Sequence, residues 1–151
     1  MNKILLVLVS IILFSCSSGG DKLILVSKDP SKSYTSWILS IDSELKIREF
    51  YSIPGDSMKY YLTEADGIIM TGGEDLNPEL YGKPEYKDLC EEPDNFRDSI
   101  EKVMIKYSLQ KRVPMIGICR GQQIINAVNG GTLIPDIPSA LPESPIMHRS
   151  K

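Results

Sequence analysis

The hydrophobic positions of this chain fall into blocks whose period switches repeatedly between strand-like and helix-like. Leu23 to Ser27 is an apolar run without alternation, the pattern of a strand buried on both faces. Trp37, Ile38, Ile41 and Leu45 recur at helical spacing and predict a helix over 33–45. A second strand is predicted from Ile47 to Ile53, stopped by Pro54-Gly55, and a short helical turn from Met58 to Thr63. Gly67 to Thr71 is a third buried strand that runs straight into Gly72-Gly73. Residues 74–92 lose periodicity and read as a long loop, a kind of segment that is often functional or mobile. Beyond it Asp94 is placed to cap a helix whose apolar stripe is Phe96, Ile100, Val103, Met104 and Tyr107. Val113 to Ile118 is the fourth strand, and Ile124, Ile125 and Val128 mark a last helix closed by Gly130-Gly131. Strands that do not alternate, separated by helices, imply an α/β fold with a parallel sheet covered on both faces. Such sheets bind ligands beyond the carboxyl ends of their strands, which is where Gly72-Gly73 and Cys119 fall.

The junction of the fourth strand and last helix carries the candidate chemistry. Gly117 and Gly121 flank Cys119 at two residues on either side, the pattern of a nucleophile elbow with a thiol in place of a hydroxyl. So tight a turn leaves no room for side chains beside the nucleophile. The start of a helix also presents unpaired N–H groups that favour an anion. On these residues alone, a cysteine at the end of a core strand is equally a small buried hydrophobe. Thr71-Gly72-Gly73 is not a phosphate loop, because neither G-x-G-x-x-G nor G-K-[ST] surrounds it.

Composition narrows the classes. The chain has 151 residues, 42% hydrophobic and 25% charged, enough for one modest domain. A net charge of -3 offers no basic footprint for nucleic acid. Cys16, Cys90 and Cys119 lack paired metal spacing, and a single histidine argues against a zinc site.

The first segment reads as a targeting signal. Met1-Asn2-Lys3 is a short positive start, and Ile4 to Phe14 is an apolar run too short to span a bilayer, which takes roughly 20 residues. Leu13-Phe14-Ser15-Cys16 resembles the lipobox of bacterial lipoproteins, which implies cleavage after residue 15 and a lipid on Cys16. Residues 16–22 then form a flexible tether, and the protein is expected at the cell envelope, lipid-anchored to a membrane and facing the extracytoplasmic side. An uncleaved anchor, or an ordinary signal in which Cys16 is incidental, is the alternative.

Four motifs occur in order: Thr71-Gly72-Gly73-Glu74-Asp75 through Pro78 to Tyr81-Gly82, then Asp94 to Asp98, then Gly117 to Asn126, then Gly130-Gly131 through Asp136. Together they resemble the C26 cysteine peptidases of the class I glutamine amidotransferase-like superfamily, in particular its γ-glutamyl-γ-aminobutyrate hydrolases. The resemblance implies a three-layer, doubly wound, flavodoxin-like α/β fold and a small γ-glutamyl substrate, with neither cofactor nor metal. It implies that Cys119 attacks a γ-glutamyl amide and forms a thioester. The backbone N–H groups of Gly73 and Arg120 would hold the oxyanion, and Gly72 and Gln123 would bind substrate. Arg97 and Asp98 read as packing residues rather than chemistry. The family's histidine and glutamate lie far downstream, and His148, in a Pro- and Ser-rich tail, is not read as that base. Residues 23–151 are therefore expected to be the N-terminal portion of such a domain, incomplete at its C-terminus. An inactive truncated lipoprotein remnant, or a ligand binder, is the alternative function. An amidotransferase passing ammonia to a partner is a weaker one. A Cys90–Cys119 disulfide, which would silence the thiol, stays open.

Overall fold

The computed structural model describes residues 21–143, so Cys16 and the signal, like His148, lie outside the described residues. Four strands form one sheet in the order β2-β1-β3-β4, all parallel: β1 Leu23–Val26, β2 Lys46–Glu49, β3 Gly67–Met70 and β4 Met115–Gly117. The helices are α1 Ser33–Ile41, α2 Gly55–Glu64, α3 Asn95–Lys111, α4 Arg120–Val128 and the short α5 Ile137–Ala140. No described helix is long and apolar enough to cross a membrane.

The period-two alternation of strand side chains sorts the interior into two clusters. Leu25, Ile68 and Met70 point to one face, where Leu62 of α2, Ile100, Met104 and Ile105 of α3 and Ile124 of α4 bury them. Val26 and Ile69 point to the other, where α1 is the only helix among the described residues, through Ile38 and Tyr34. The whole of β3 is buried, as a non-alternating run requires, whereas β2 carries exposed Lys46 and Arg48 at an edge. Charged side chains there discourage pairing with another chain.

Several expectations shift. The first helix ends at Ile41 rather than at 45, and of its predicted stripe Trp37 is 48% and Ile41 72% exposed. Its cover is missing among the described residues: with Ile24, Leu45 and Ile116 they line an apolar groove of ≈ 390 Å³. The second strand is shorter than predicted and gives way to a 3₁₀ turn at Phe50–Ser52, which turns Phe50 into the core. The helical turn at Met58 proves to be a ten-residue helix beginning at Gly55. The 74–92 loop holds two 3₁₀ turns, Pro78–Tyr81 and Pro84–Leu89, the first capped by the Asn77 side chain accepting from the Glu79 N–H at 3.0 Å.

Helix α1 is capped from a distance. Asp29 accepts from the N–H groups of Tyr34 at 3.3 Å and Thr35 at 2.8 Å, and from the Thr35 hydroxyl at 2.7 Å. Burial opposes its charge, but these bonds hold the Asp29 carboxyl below its ordinary value. Asp94 caps α3 as expected, accepting from the Arg97 N–H at 2.9 Å.

Candidate active site

The elbow forms because α4 starts directly on top of β3. Ile118 N–H donates to the Met70 carbonyl at 2.9 Å, extending the ladder one residue past β4. The chain then reverses through Cys119, at φ 51° and ψ -113°, and enters the helix at Arg120. A side chain on Gly121 would run into the carbonyl of Met70, so only glycine lets the helix approach the strand this closely. Cys119 itself is exposed, not a core hydrophobe, and a non-glycine residue at positive φ is held there only by its surroundings.

The end of β3 lies against it. A Cβ placed on Gly72 would be 3.6 Å from that of Cys119, so the two strand ends are adjacent. Gly72 N–H donates to the Tyr34 phenol at 3.0 Å. Gly73 follows at φ 147°, a conformation side chains rarely adopt. Neither the Gly73 nor the Arg120 N–H makes a hydrogen bond to the described residues. Gln123 is exposed on the first turn of α4, its N–H donating to the Cys119 carbonyl at 3.3 Å. Cys90 and Cys119 are free thiols, and Cys90 lies 3.9 Å from the Tyr81 hydroxyl.

Behind the two strand ends is a buried charge network. Arg97 and Arg120 are each 1% exposed and Glu101 is fully buried. Arg97 Nε donates to Glu101 Oε1 at 2.8 Å, and Arg120 Nη1 donates to Glu101 Oε2. Arg120 Nη2 donates to Asp98 Oδ1, and Asp98 Oδ2 accepts from the Asn77 N–H at 3.2 Å. Two guanidinium groups thus face two carboxylates, which is what makes their burial tolerable. Burial pushes the Asp98 carboxyl above its ordinary value even with Arg120 against it. Arg97 also reaches out of the network, Nη1 to Glu74 Oε2 at 2.6 Å and Nη2 to the carbonyls of Thr71 at 3.1 Å and Gly72 at 2.9 Å. Lys28 closes the rim, donating to Glu74 at 2.6 Å and Asp94 at 2.9 Å. Burial works against the Glu74 carboxyl, yet Lys28 and Arg97 bring it down to about 2.

The packing reading of Arg97 and Asp98 thus acquires a target, since both sit in this network. The sequence reading assigned no role to Glu101 or Tyr34, and quoted Glu74 only as part of the first motif. Glu101 left a trace, being four residues after Arg97 on the same helix face.

A parallel α/β sheet with an exposed cysteine at a strand–helix elbow defines the class: a class I glutamine amidotransferase-like fold. The family model for Peptidase C26 matches residues 50–151, and this chain belongs to that family. A glutamine amidotransferase-like protein of Lactococcus lactis subsp. cremoris is 40% identical over 93 residues, covering 62% of this chain and 48% of its own. One of Rickettsia prowazekii is 38% identical over 84 residues, 55% of this chain and 30% of its own. The γ-glutamyl-γ-aminobutyrate hydrolase of Escherichia coli K12 is 33% identical over 79 residues, 50% of this chain and 29% of its own. The chain thus spans about half or less of the curated relatives it matches.

Proposed function

We propose that the chain carries the nucleophile half of a γ-glutamyl amide hydrolase. Cys119 Sγ attacks the γ-carbonyl carbon, the oxyanion sits on the Gly73 and Arg120 N–H groups, and the amine leaves with a proton. Water then hydrolyses the γ-glutamyl thioester. Gly72 and Gln123 border the glutamyl group. The observation that carries this reading is the exposed Cys119 at φ 51° beside a strand end whose Gly73 N–H has no described partner. The hydrolase among the relatives supports the γ-glutamyl bond as the target. In the test, the purified protein releases 4-nitroaniline from γ-glutamyl-4-nitroanilide, and Cys119→Ser abolishes release. No release from the wild type overturns the reading for this chain.

A second reading, a non-catalytic ligand binder, is favoured by one observation: among the described residues no histidine stands beside Cys119. Selective labelling of Cys119 by iodoacetamide at neutral pH, faster than a free cysteine, counts against an inert site. We also propose an envelope protein anchored by lipid on Cys16, supported by the Leu13 to Cys16 motif. Incorporation of labelled palmitate in a bacterial host, lost in Cys16→Ser, is the check.

A further inference from the structure

The two proposed oxyanion donors come from segments far apart in the chain, the end of β3 and the start of α4. Each is backed by a buried arginine. Arg97 grips the carbonyls of Thr71 and Gly72, just before the Gly73 N–H. Arg120 supplies the second N–H from its own backbone, while its side chain is buried behind the elbow. Arg120 Nε has no partner among the described residues, so its Nη atoms, on Glu101 and Asp98, set the side chain's position. Glu101 touches both arginines, one carboxylate oxygen to each, whereas Asp98 touches Arg120 alone.

We infer that Glu101 is a positioning residue that fixes the distance between the Gly73 and Arg120 N–H groups, joining the halves of the oxyanion site through Arg97 and Arg120. The inference rests on the assignment of those two N–H groups in the proposed function. Without the Glu101 carboxylate, the two buried guanidinium groups share no anion: Arg120 keeps Asp98 and Arg97 keeps only Glu74 at the rim. They separate, and each carries one donor with it.

The test compares two reactions of the same thiol in the whole protein. With 4-nitrophenyl acetate, Cys119 Sγ bonds to the acyl carbon, a tetrahedral oxyanion forms and 4-nitrophenolate leaves. With iodoacetamide, sulfur displaces iodide and no oxyanion forms. Glu101→Gln keeps the side chain's shape but turns an amide NH₂ on one arginine. It should slow acetylation about tenfold or more, toward the roughly 10²–10³-fold loss that follows outright removal of an oxyanion donor, and leave alkylation within about twofold. Asp98→Asn, which leaves the bridge intact, should slow acetylation less than Glu101→Gln. Arg97→Lys, which gives up the grip on both carbonyls, should repeat the selective loss and serves if Glu101→Gln does not fold. Acetylation and alkylation falling together, or acetylation unchanged, overturns the bridge. A wild-type acetylation rate no faster than that of a free cysteine thiol removes the oxyanion pair itself; a fast wild-type rate untouched by the variants removes only the bridge.

Discussion

Arg97 Nη2 donates to the carbonyl oxygen of Gly72 at 2.9 Å, and that carbonyl belongs to the same peptide unit as the Gly73 N–H. No described peptide is cis, so within this planar unit the N–H points opposite to the carbonyl. Holding the oxygen toward the buried guanidinium therefore aims the N–H away from it, on the solvent side of the strand end. A cation on the carbonyl also draws electron density along the amide and makes the N–H a stronger donor. The strand end is held from behind, by a guanidinium buried away from the exposed Cys119.

The same arrangement predicts the cost of disturbing Thr71. Its buried hydroxyl accepts from Arg97 Nη2 at 2.9 Å and donates to the Lys28 carbonyl at 2.6 Å. Thr71→Val keeps the shape, leaves the Lys28 carbonyl without its donor and takes away one of the three acceptors of Arg97 Nη2. Urea unfolding should show a loss of about 1–3 kcal/mol, the penalty for a buried group left unsatisfied. A loss below about 0.5 kcal/mol would mean water replaces the hydroxyl.

Cys119 should be a site where glycine outperforms alanine. In ordinary structured positions glycine costs about 0.5–1 kcal/mol relative to alanine. At φ 51° and ψ -113° any Cβ is strained, by about 1–3 kcal/mol. Cys119→Gly should therefore be about 1 kcal/mol more stable than Cys119→Ala, read as the difference in urea midpoint. Equal stabilities would show that the elbow relaxes without cost.

Acid should loosen the rim of the site first. The Glu74 carboxyl stands at about 2 when folded against an ordinary 4.5, held there by Lys28 and Arg97. A depressed folded value adds stability that is fully present above the ordinary value and drains as pH falls from about 4.5 toward 2. Wild-type stability should drop more steeply than that of Glu74→Gln across that window, and the two curves should run parallel above pH 6. Parallel curves throughout would remove Glu74 from the network.

The elbow was legible in the sequence because its cause is local: Gly117, Cys119 and Gly121 are set by one tight turn. The parallel order of the sheet followed from runs such as Gly67 to Met70, which are buried on both faces. The charge network was not legible, and α3 shows why. Its predicted stripe is Phe96, Ile100, Val103, Met104 and Tyr107, of which Ile100 and Met104 are buried while Phe96 and Val103 are half exposed. The buried face is centred further round the helix and takes in Arg97, Asp98, Glu101 and Ser108 beside them. A buried face whose centre is polar displaces any estimate based on apolar periodicity. Phe96 instead packs edge-on against Tyr51, with ring centroids 5.2 Å apart. Helix α1 misled in the opposite sense, since its stripe is real but Trp37 and Ile41 lie uncovered among the described residues.

That uncovered stripe makes the last prediction. Ile41 is 72% and Ile116 57% exposed, on the sheet face that, among the described residues, α1 alone shields. Exposed apolar side chains contribute little to stability, and surface substitutions away from special features usually stay within about 0.5 kcal/mol. They do offer a contiguous apolar patch for association or dye binding. Ile41→Lys with Ile116→Lys should therefore leave the urea midpoint nearly unchanged while lowering anilinonaphthalene sulfonate fluorescence and raising the concentration at which the protein aggregates. Ile116 lies on β4, the outermost strand among the described residues, opposite Ile69 of β3, so a lysine there also places a charge where another chain would pair. If the double variant is instead destabilised by more than about 2 kcal/mol, the size of a buried aliphatic loss, this face is covered in solution and the patch is not free for association.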